Sequence, residues 1–196
     1  MDLDIARTTE DLAKLEKAKE TIAAQFSNQL KMDIAQGELT IEAGPENLLE
    51  LCKFLKDSKE LDFSYMRCLL GQDLRDCLEV IYLLYSISKG LKITLRTKLK
   101  RDNPRVPSVY SVWKSADWHE REAAEMLGII FEGHPNPKTL LLKEDFQGHP
   151  LRKDFELKSG GSEQSQSETS TRNMNHSDEK PDPNSSQMSF DVFKGN

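Results

Sequence analysis

Cysteines, glycine-rich motifs and long apolar runs are all scarce in this sequence, and each scarcity argues against a class of protein. The three cysteines, Cys52, Cys68 and Cys77, form no Cys-x-x-Cys pair, so an iron–sulfur cluster held by this chain alone is not expected. The sequence has no Gly-x-Gly-x-x-Gly, Walker or Gly-x-Ser-x-Gly motif, and thus no nucleotide-binding or hydrolase signature. No apolar run approaches the roughly 20 residues that span a bilayer. We expect membrane contact only through a partner.

A surplus of positive charge is also missing. Lys and Arg total 27 against 33 Asp and Glu, which gives a net charge of -6. Phosphate binding needs excess positive charge on at least one face, so we do not expect a nucleic-acid partner. The first five residues include two aspartates and do not form the apolar core of a signal peptide. With an odd number of cysteines, this pattern predicts reduced thiols and a cytoplasmic chain.

The composition changes sharply near residue 158. Between residues 158 and 187 the only apolar residue is Met174. Such a segment buries too little apolar surface to offset the entropy of ordering it, so the sequence predicts a disordered, low-complexity tail over 158–196. A small apolar patch at residues 188–193 is either a frayed end or a peptide that docks on a partner.

The body of the chain mixes helical and strand-like patterns. The predicted elements are a helix over 9–26, a hairpin over 30–43, a helix from Pro45, strands over 63–70, 77–86 and 91–96, a charged linker over 98–107, a strand over 108–113 and a helix over 116–127. This order predicts an α+β fold, a two-layer sandwich of a mostly antiparallel sheet with helices on one face. An extended C-terminal segment follows it. We expect an α+β domain over 1–127 and an extended interface segment over 128–157.

The region after the sheet contains two Gly-His-Pro turns, which present His134 and His149. With Glu122 these histidines would make a two-His, one-carboxylate metal site, although no spacing enforces it. A histidine between Gly and Pro is more often a turn residue that bonds to the backbone, so we expect no metal. In the preceding helix, Glu122 and Glu125 share a face, and Arg121 lies within reach of Glu125.

The same region carries a specific family resemblance. It resembles the C-subunit family of respiratory complex I, the small peripheral-arm subunit of NADH:quinone oxidoreductases, and its relatives. The matching residues are Ala116, Trp118, Glu120, Arg121, Glu122, Gly128, Ile129, Phe131, Gly133, His134, Pro135 and residues 148–155. The family commonly has aromatic residues at the positions of Ala124 and Leu127. The branch therefore stays open, with a methanogen reduced-deazaflavin dehydrogenase or a membrane-bound hydrogenase as alternatives to complex I.

The resemblance implies a non-catalytic subunit of an ion-pumping oxidoreductase, with no flavin, cluster or substrate in this chain. Flavin and iron–sulfur clusters are then expected in partner subunits. The implied partners are the large subunit that borders the quinone site and neighbouring iron–sulfur subunits. This would place the chain peripherally at the cytoplasmic side of the cell membrane.

Charges of both signs alternate with aromatic residues in the matching region, as in an interface where Arg–carboxylate pairs fix orientation. The candidate interface residues are Trp118, Glu120, Arg121, Glu122, His134, His149, Leu151, Arg152, Lys153, Asp154 and Phe155. Alternatively, these charges pair within the domain and tie the extended segment to its own helix. A free-standing metal or acid–base enzyme that uses His134, His149 and Glu122, and a soluble adaptor protein, are the remaining hypotheses.

Overall fold

The computed structural model describes residues 2–26 and 29–156, and within them the chain forms three helices and seven strands. In chain order these are α1 (Asp2–Phe26), β1 (Lys31–Ala35), β2 (Glu38–Glu42), α2 (Pro45–Asp57), β3 (Tyr65–Asp73), β4 (Cys77–Ser86), β5 (Leu91–Lys100), β6 (Arg105–Pro107), α3 (Ala116–Leu127) and β7 (Ile130–Glu132). The predicted tail over 158–196 and its apolar patch at 188–193 lie outside the described residues.

Five strands form one sheet in the order β1-β2-β5-β4-β3. All neighbouring pairs are antiparallel except β2 and β5, which run parallel. Along β5 the buried side chains alternate with exposed or half-buried ones, so that Leu91, Ile93 and Leu95 face the core. The helices contribute their buried residues to that same core. The predicted α+β fold with a mostly antiparallel sheet is therefore confirmed.

Helical periodicity explains the first two helices. In α1 the buried residues Leu15, Ala18, Ile22 and Phe26 recur every three or four positions, which places them on one face. The helix begins at Asp2, seven residues before its predicted start. In α2, Pro45 lies in the first turn as expected, because its fixed φ suits a helix start and it has no N–H to leave unpaired. No helix in the described part of the chain is long and apolar enough to cross a membrane.

Two predictions between β5 and α3 are wrong. The supposed linker over 98–107 contains the end of β5 and all of β6, which pairs in parallel with β7. The supposed strand over 108–113 is a pair of turns instead, where the N–H groups of Val112 and Trp113 both donate to Val109 O at 2.9 Å. The N–H groups of Val109 and Tyr110 bond to side chains, so they are not available to a strand partner.

Helix α3 packs closely on β3 at a glycine. A Cβ atom at Gly71 would lie 2.3 Å from Leu127 Cδ1, much closer than two carbon atoms can approach. The missing side chain lets the end of α3 lie almost against the strand. This contact fixes the starting point of the chain that follows the helix, which is where the sequence motifs are concentrated.

Candidate functional site

The motif-rich region after α3 turns back across its own helix. We call residues 128–156 the C-terminal segment. It starts at Gly128, whose left-handed conformation (φ 70°) ends α3 as predicted. A Cβ atom there would lie 2.4 Å from His149 Nε2, so only glycine leaves room for that ring. One glycine thus both ends the helix and admits the second Gly-His-Pro turn.

Both motif histidines bond to the backbone of α3. His134 Nδ1 accepts from Asn136 N at 3.1 Å, which leaves Nε2 to carry the proton and face Asp117 O at 3.3 Å. His149 Nδ1 lies 2.9 Å from Glu125 O, and because a carbonyl only accepts, this nitrogen is the donor. These contacts confirm the prediction that each histidine makes a backbone bond: His149 bonds to the helix, and His134 bonds to both the helix and Asn136 of the segment.

Glu120 is fully buried in the first half of α3. Its carboxylate accepts from the Ser108 hydroxyl at 2.6 Å and from Val109 N at 2.7 Å, so it joins the helix to the turns after β6. Desolvation raises the pKa of Glu120 to about 7 because the two hydrogen bonds only partly offset the loss of water. Because none of its surface is exposed, the Glu120 side chain contacts only groups of its own chain in this structure.

Glu125 and Arg121 hold the middle of the C-terminal segment. The Glu125 carboxylate accepts from the backbone N–H groups of three successive residues, Leu140, Leu141 and Leu142, at 2.8 to 3.3 Å. Burial disfavours its ionised form, but these bonds outweigh burial and lower the pKa of Glu125. The Arg121 guanidinium donates to the carbonyls of residues 138 and 139, both at 2.9 Å. Through these two side chains, α3 therefore binds both N–H donors and carbonyl acceptors of the segment's backbone.

Asp73, at the end of β3, anchors the end of the segment. Its carboxylate accepts from Arg101 Nη1 at 2.6 Å and from Lys153 N at 2.8 Å. The hydrogen bond from Arg101 is the main reason that the pKa of Asp73 lies well below its usual range. Arg101 also donates to Asp154 Oδ1 at 2.7 Å. Arg152 Nε donates to Leu127 O at 2.7 Å, which satisfies a carbonyl at the helix end.

Apolar side chains, in contrast, point outward from this region. Trp118 is 65% exposed and Leu151 is 60% exposed. Of the nine large hydrophobic residues that are exposed in the described chain, five lie in α3 or the C-terminal segment: Trp118, Ile130, Leu141, Phe146 and Leu151. An open groove of about 360 Å³ between α3 and the segment is lined partly by the apolar side chains of Ile130, Leu142 and Phe146.

The structure brings most of the candidate interface residues into α3 and the C-terminal segment, and most of their charged groups have contacts inside the chain. The side chains of Glu122 and Lys153 form no hydrogen bond or ion pair with the described residues. Glu122 also does not line the groove that His134 and His149 border. In the described residues, no three His, Cys, Asp or Glu side chains are placed to hold a metal ion. No pattern in the sequence indicates Asp73, which lies 80 residues from its partner Lys153. The sequence pattern places Glu125 on the same helix face as Glu122, but it does not indicate the bonds of Glu125 to the C-terminal segment.

Comparison with known proteins identifies this region as part of a family domain. Residues 41–160, more than half of the chain, match the family described as respiratory-chain NADH dehydrogenase, 30 Kd subunit. The C subunit of NADH-quinone oxidoreductase from Roseiflexus sp. (strain RS-1) is 40% identical over 125 residues, which cover 62% of this chain and 72% of the relative. The C subunit from Salinispora tropica is 37% identical over 131 residues, 65% of this chain and 54% of the relative.

A solved structure extends the similarity to three dimensions. A trypsin-resistant fragment of Nqo5, residues 1–134, superposes with a TM-score of 0.53 at 26% identity and covers 63% of this chain and 98% of the fragment. The sequence motifs, the matched range and the fold thus agree. The chain belongs to the family of the respiratory-chain NADH dehydrogenase 30 kDa subunit.

Proposed function

We propose that this chain is a non-catalytic subunit of the peripheral arm of a complex I-like oxidoreductase. In this role it packs against the large subunit that borders the quinone site and against iron–sulfur subunits. Membership of the 30 kDa subunit family supports a place in a respiratory oxidoreductase complex. Flavin and clusters then reside in partner subunits, and this chain is held peripherally at the cytoplasmic face of the membrane through its partners.

The exposed apolar surface of α3 and the C-terminal segment is the observation that carries the proposal. Charged groups in this region are already used to hold the segment, so they offer few free polar groups to a substrate. Trp118 and Leu151 instead expose large apolar surfaces on a backbone held by hydrogen bonds. Aromatic and aliphatic anchors on a rigid support are typical of protein interfaces, where burial of such side chains supplies most of the affinity.

The alternative of an acid–base enzyme has less support. Glu120 has the raised pKa of a candidate general base, but its carboxylate is completely buried and bonded to Ser108 and Val109. A general base has to come within hydrogen-bond reach of its substrate. The side chain of His134 is only 3% exposed. Glu122 does not line the groove that His134 and His149 border, so the three side chains do not share one site.

Alanine substitution in the assembled complex tests the proposal. We expect Leu151→Ala and Trp118→Ala to weaken retention of this subunit, since truncating an interface anchor costs about 1–3 kcal/mol. The matched control is Leu12→Ala, because Leu12 is a 39% exposed leucine of α1, outside the proposed interface. Subunit stoichiometry of the purified complex, measured by mass spectrometry, is the readout. Normal stoichiometry with abolished turnover per complex would contradict a non-catalytic role.

A further inference from the structure

The face of the five-stranded sheet that points away from the helices has an unusual composition. We call it the outer sheet face. Its side chains lie in rows across β3, β4 and β5, because directly paired residues of antiparallel strands share a face. One row is Leu70, Ile81 and Arg96, the next is Cys68, Leu83 and Thr94, and a third is Tyr65, Tyr85 and Lys92. Each of these three rows passes from apolar side chains on β3 and β4 to polar or cationic ones on β5, whereas the row of Gln72, Glu79 and Lys98 is polar throughout.

The apolar half of this face is unexpected for a solvated sheet. Antiparallel sheets with one wet face normally alternate apolar and polar residues along each strand. From Val80 to Tyr85 the core-facing positions of β4 are apolar as usual, but Ile81, Leu83 and Tyr85 on the outer face are apolar as well. Beside them on β3, Tyr65 is 50% exposed. A strand that is apolar on both sides is typical of a sheet that is covered on both faces.

The β5 half of the outer sheet face is cationic. Lys92, Arg96, Lys98 and Lys100 alternate along the strand and therefore point to the same side. Arg96 is neutralised by the buried Glu79 at 2.7 Å, and Lys98 lies 3.4 Å from Glu42. Lys92 and Lys100 have no ion-pair partner among the residues that the structure describes. The outer sheet face thus combines an apolar patch on β3 and β4 with unpaired positive charge on β5.

We infer that the outer sheet face binds a second protein subunit, one whose surface presents an apolar strip flanked by carboxylates. Charge complementarity favours this partner over a second copy of the chain. A second copy offers few free carboxylates from the same face, because Glu79 pairs with Arg96, Glu42 with Lys98 and Glu38 accepts from the Thr94 hydroxyl at 2.7 Å. Among the described residues, Asp33 on the edge strand β1 is left as a carboxylate of this face with neither an ion pair nor a hydrogen bond.

This inference rests on the proposed function, since it needs a multisubunit complex. It adds the surface through which the chain would meet a second partner, so that the chain bridges two neighbours. Helix α3 packs on the core side of the sheet, against Gly71 of β3, so the proposed α3 interface and the outer sheet face lie on opposite sides of that strand. A protein with binding surfaces on both sides joins its neighbours, whereas one with a single surface binds only at the edge of the assembly.

Site-specific photocrosslinking in the purified intact complex tests the bridge. A photoreactive aromatic amino acid is placed at Tyr85, at Trp118 or, as a control, at the exposed Leu12, and crosslinked subunits are identified by mass spectrometry. We expect the Tyr85 probe to capture one subunit and the Trp118 probe a different one. Lys92→Glu should lower the yield of the Tyr85 product about fivefold, as the loss of one exposed ion pair does. Lys89→Glu, the same change in the neighbouring turn, should leave it unchanged.

The outcomes separate this inference from the proposed function. If the Trp118 probe captures a subunit while the Tyr85 probe yields only lipid, a second copy, residues 157–196 of its own chain or nothing, the outer sheet face is not the inferred surface. Capture of the same subunit by both probes would also overturn the bridge. If neither probe captures another subunit, the proposed function itself fails.

Discussion

The sheet with its helices and the C-terminal segment are held by different forces. In the sheet, buried side chains such as Ile93 and Leu95 form one continuous apolar core. The C-terminal segment is irregular, and most of its contacts join a charged or polar side chain to a backbone group, as Glu125 and Arg152 show. Apolar burial is nondirectional and depends on area, whereas each of these hydrogen bonds depends on one donor and one acceptor.

This difference explains why the charged motif stands in a region with little regular structure. A segment without a ladder of strand or helix bonds still has to satisfy its backbone groups. Glu125 does so for three successive N–H groups, and Arg121 for two carbonyls. The charged residues of the motif therefore fix the shape of the segment, which leaves its apolar side chains free to face outward.

Truncation of the core is the largest effect that we expect. Leu95 is fully buried, so Leu95→Ala should lower the free energy of unfolding of the full chain by about 2–5 kcal/mol. Lys98→Ala, on the exposed face of the same strand, should change it by less than about 0.5 kcal/mol. Denaturant titration measures both, and equal losses would contradict a sheet held by its apolar core.

The pH dependence of stability tests the buried carboxyl that joins α3 to the turns after β6. The pKa of Glu120 is raised from 4.5 to about 7 on folding, so the folded state binds its proton more tightly. Its contribution to stability is complete below about pH 4.5 and is lost as the pH rises toward and through 7. Glu120→Gln, which keeps an acceptor for Val109 N and a donor for Ser108, should remove this loss. Unfolding of both proteins is compared between pH 5 and 8, and parallel curves would contradict the assignment.

A local effect is expected from Glu125→Gln. An amide oxygen is a weaker acceptor than a carboxylate and leaves one side-chain position without an acceptor, so amides 140–142 should open more often. Their hydrogen exchange should become about tenfold faster, while the core strands change little. Glu122→Gln is the control, since Glu122 is a carboxylate on the same helix that lies outside the groove. If both variants behave alike, Glu125 does not hold the segment.

The smallest effect concerns Lys153, a charged residue of the motif. Its backbone N–H bonds to Asp73, while its side chain forms no hydrogen bond or ion pair with the residues that the structure describes. Lys153→Ala should keep the unfolding midpoint of the full chain, whereas Arg152→Ala loses the bond to Leu127 O and should lower it. Thermal unfolding of the two variants provides the comparison. A larger loss for Lys153→Ala would reverse the assigned roles.

Sequence pattern predicted the sheet region far better than the segment. Alternation and helical spacing report burial directly, so α2, β4 and β5 were placed correctly to within a few residues. The prediction of a strand over 108–113 is wrong because the N–H groups of Val109 and Tyr110 bond to the side chains of Glu120 and Ser108. No local sequence pattern reveals these bonds. Likewise, nothing in the sequence near residue 153 points to Asp73. The resemblance located the region of the site, but its charges contact residues that are distant in the sequence, and local pattern does not pair them.

Hydrogen exchange of the isolated full chain, followed by mass spectrometry, tests the central claim most directly. If the motif charges hold the C-terminal segment internally, the amides of residues 140–142, 151 and 153 should exchange at least about tenfold more slowly than unprotected amides before any partner is present. Adding the partner subunits should then protect the surface around Trp118 and Leu151 further. Unprotected exchange in the isolated chain, with protection only in the complex, would show that the charges act between subunits and would contradict the account.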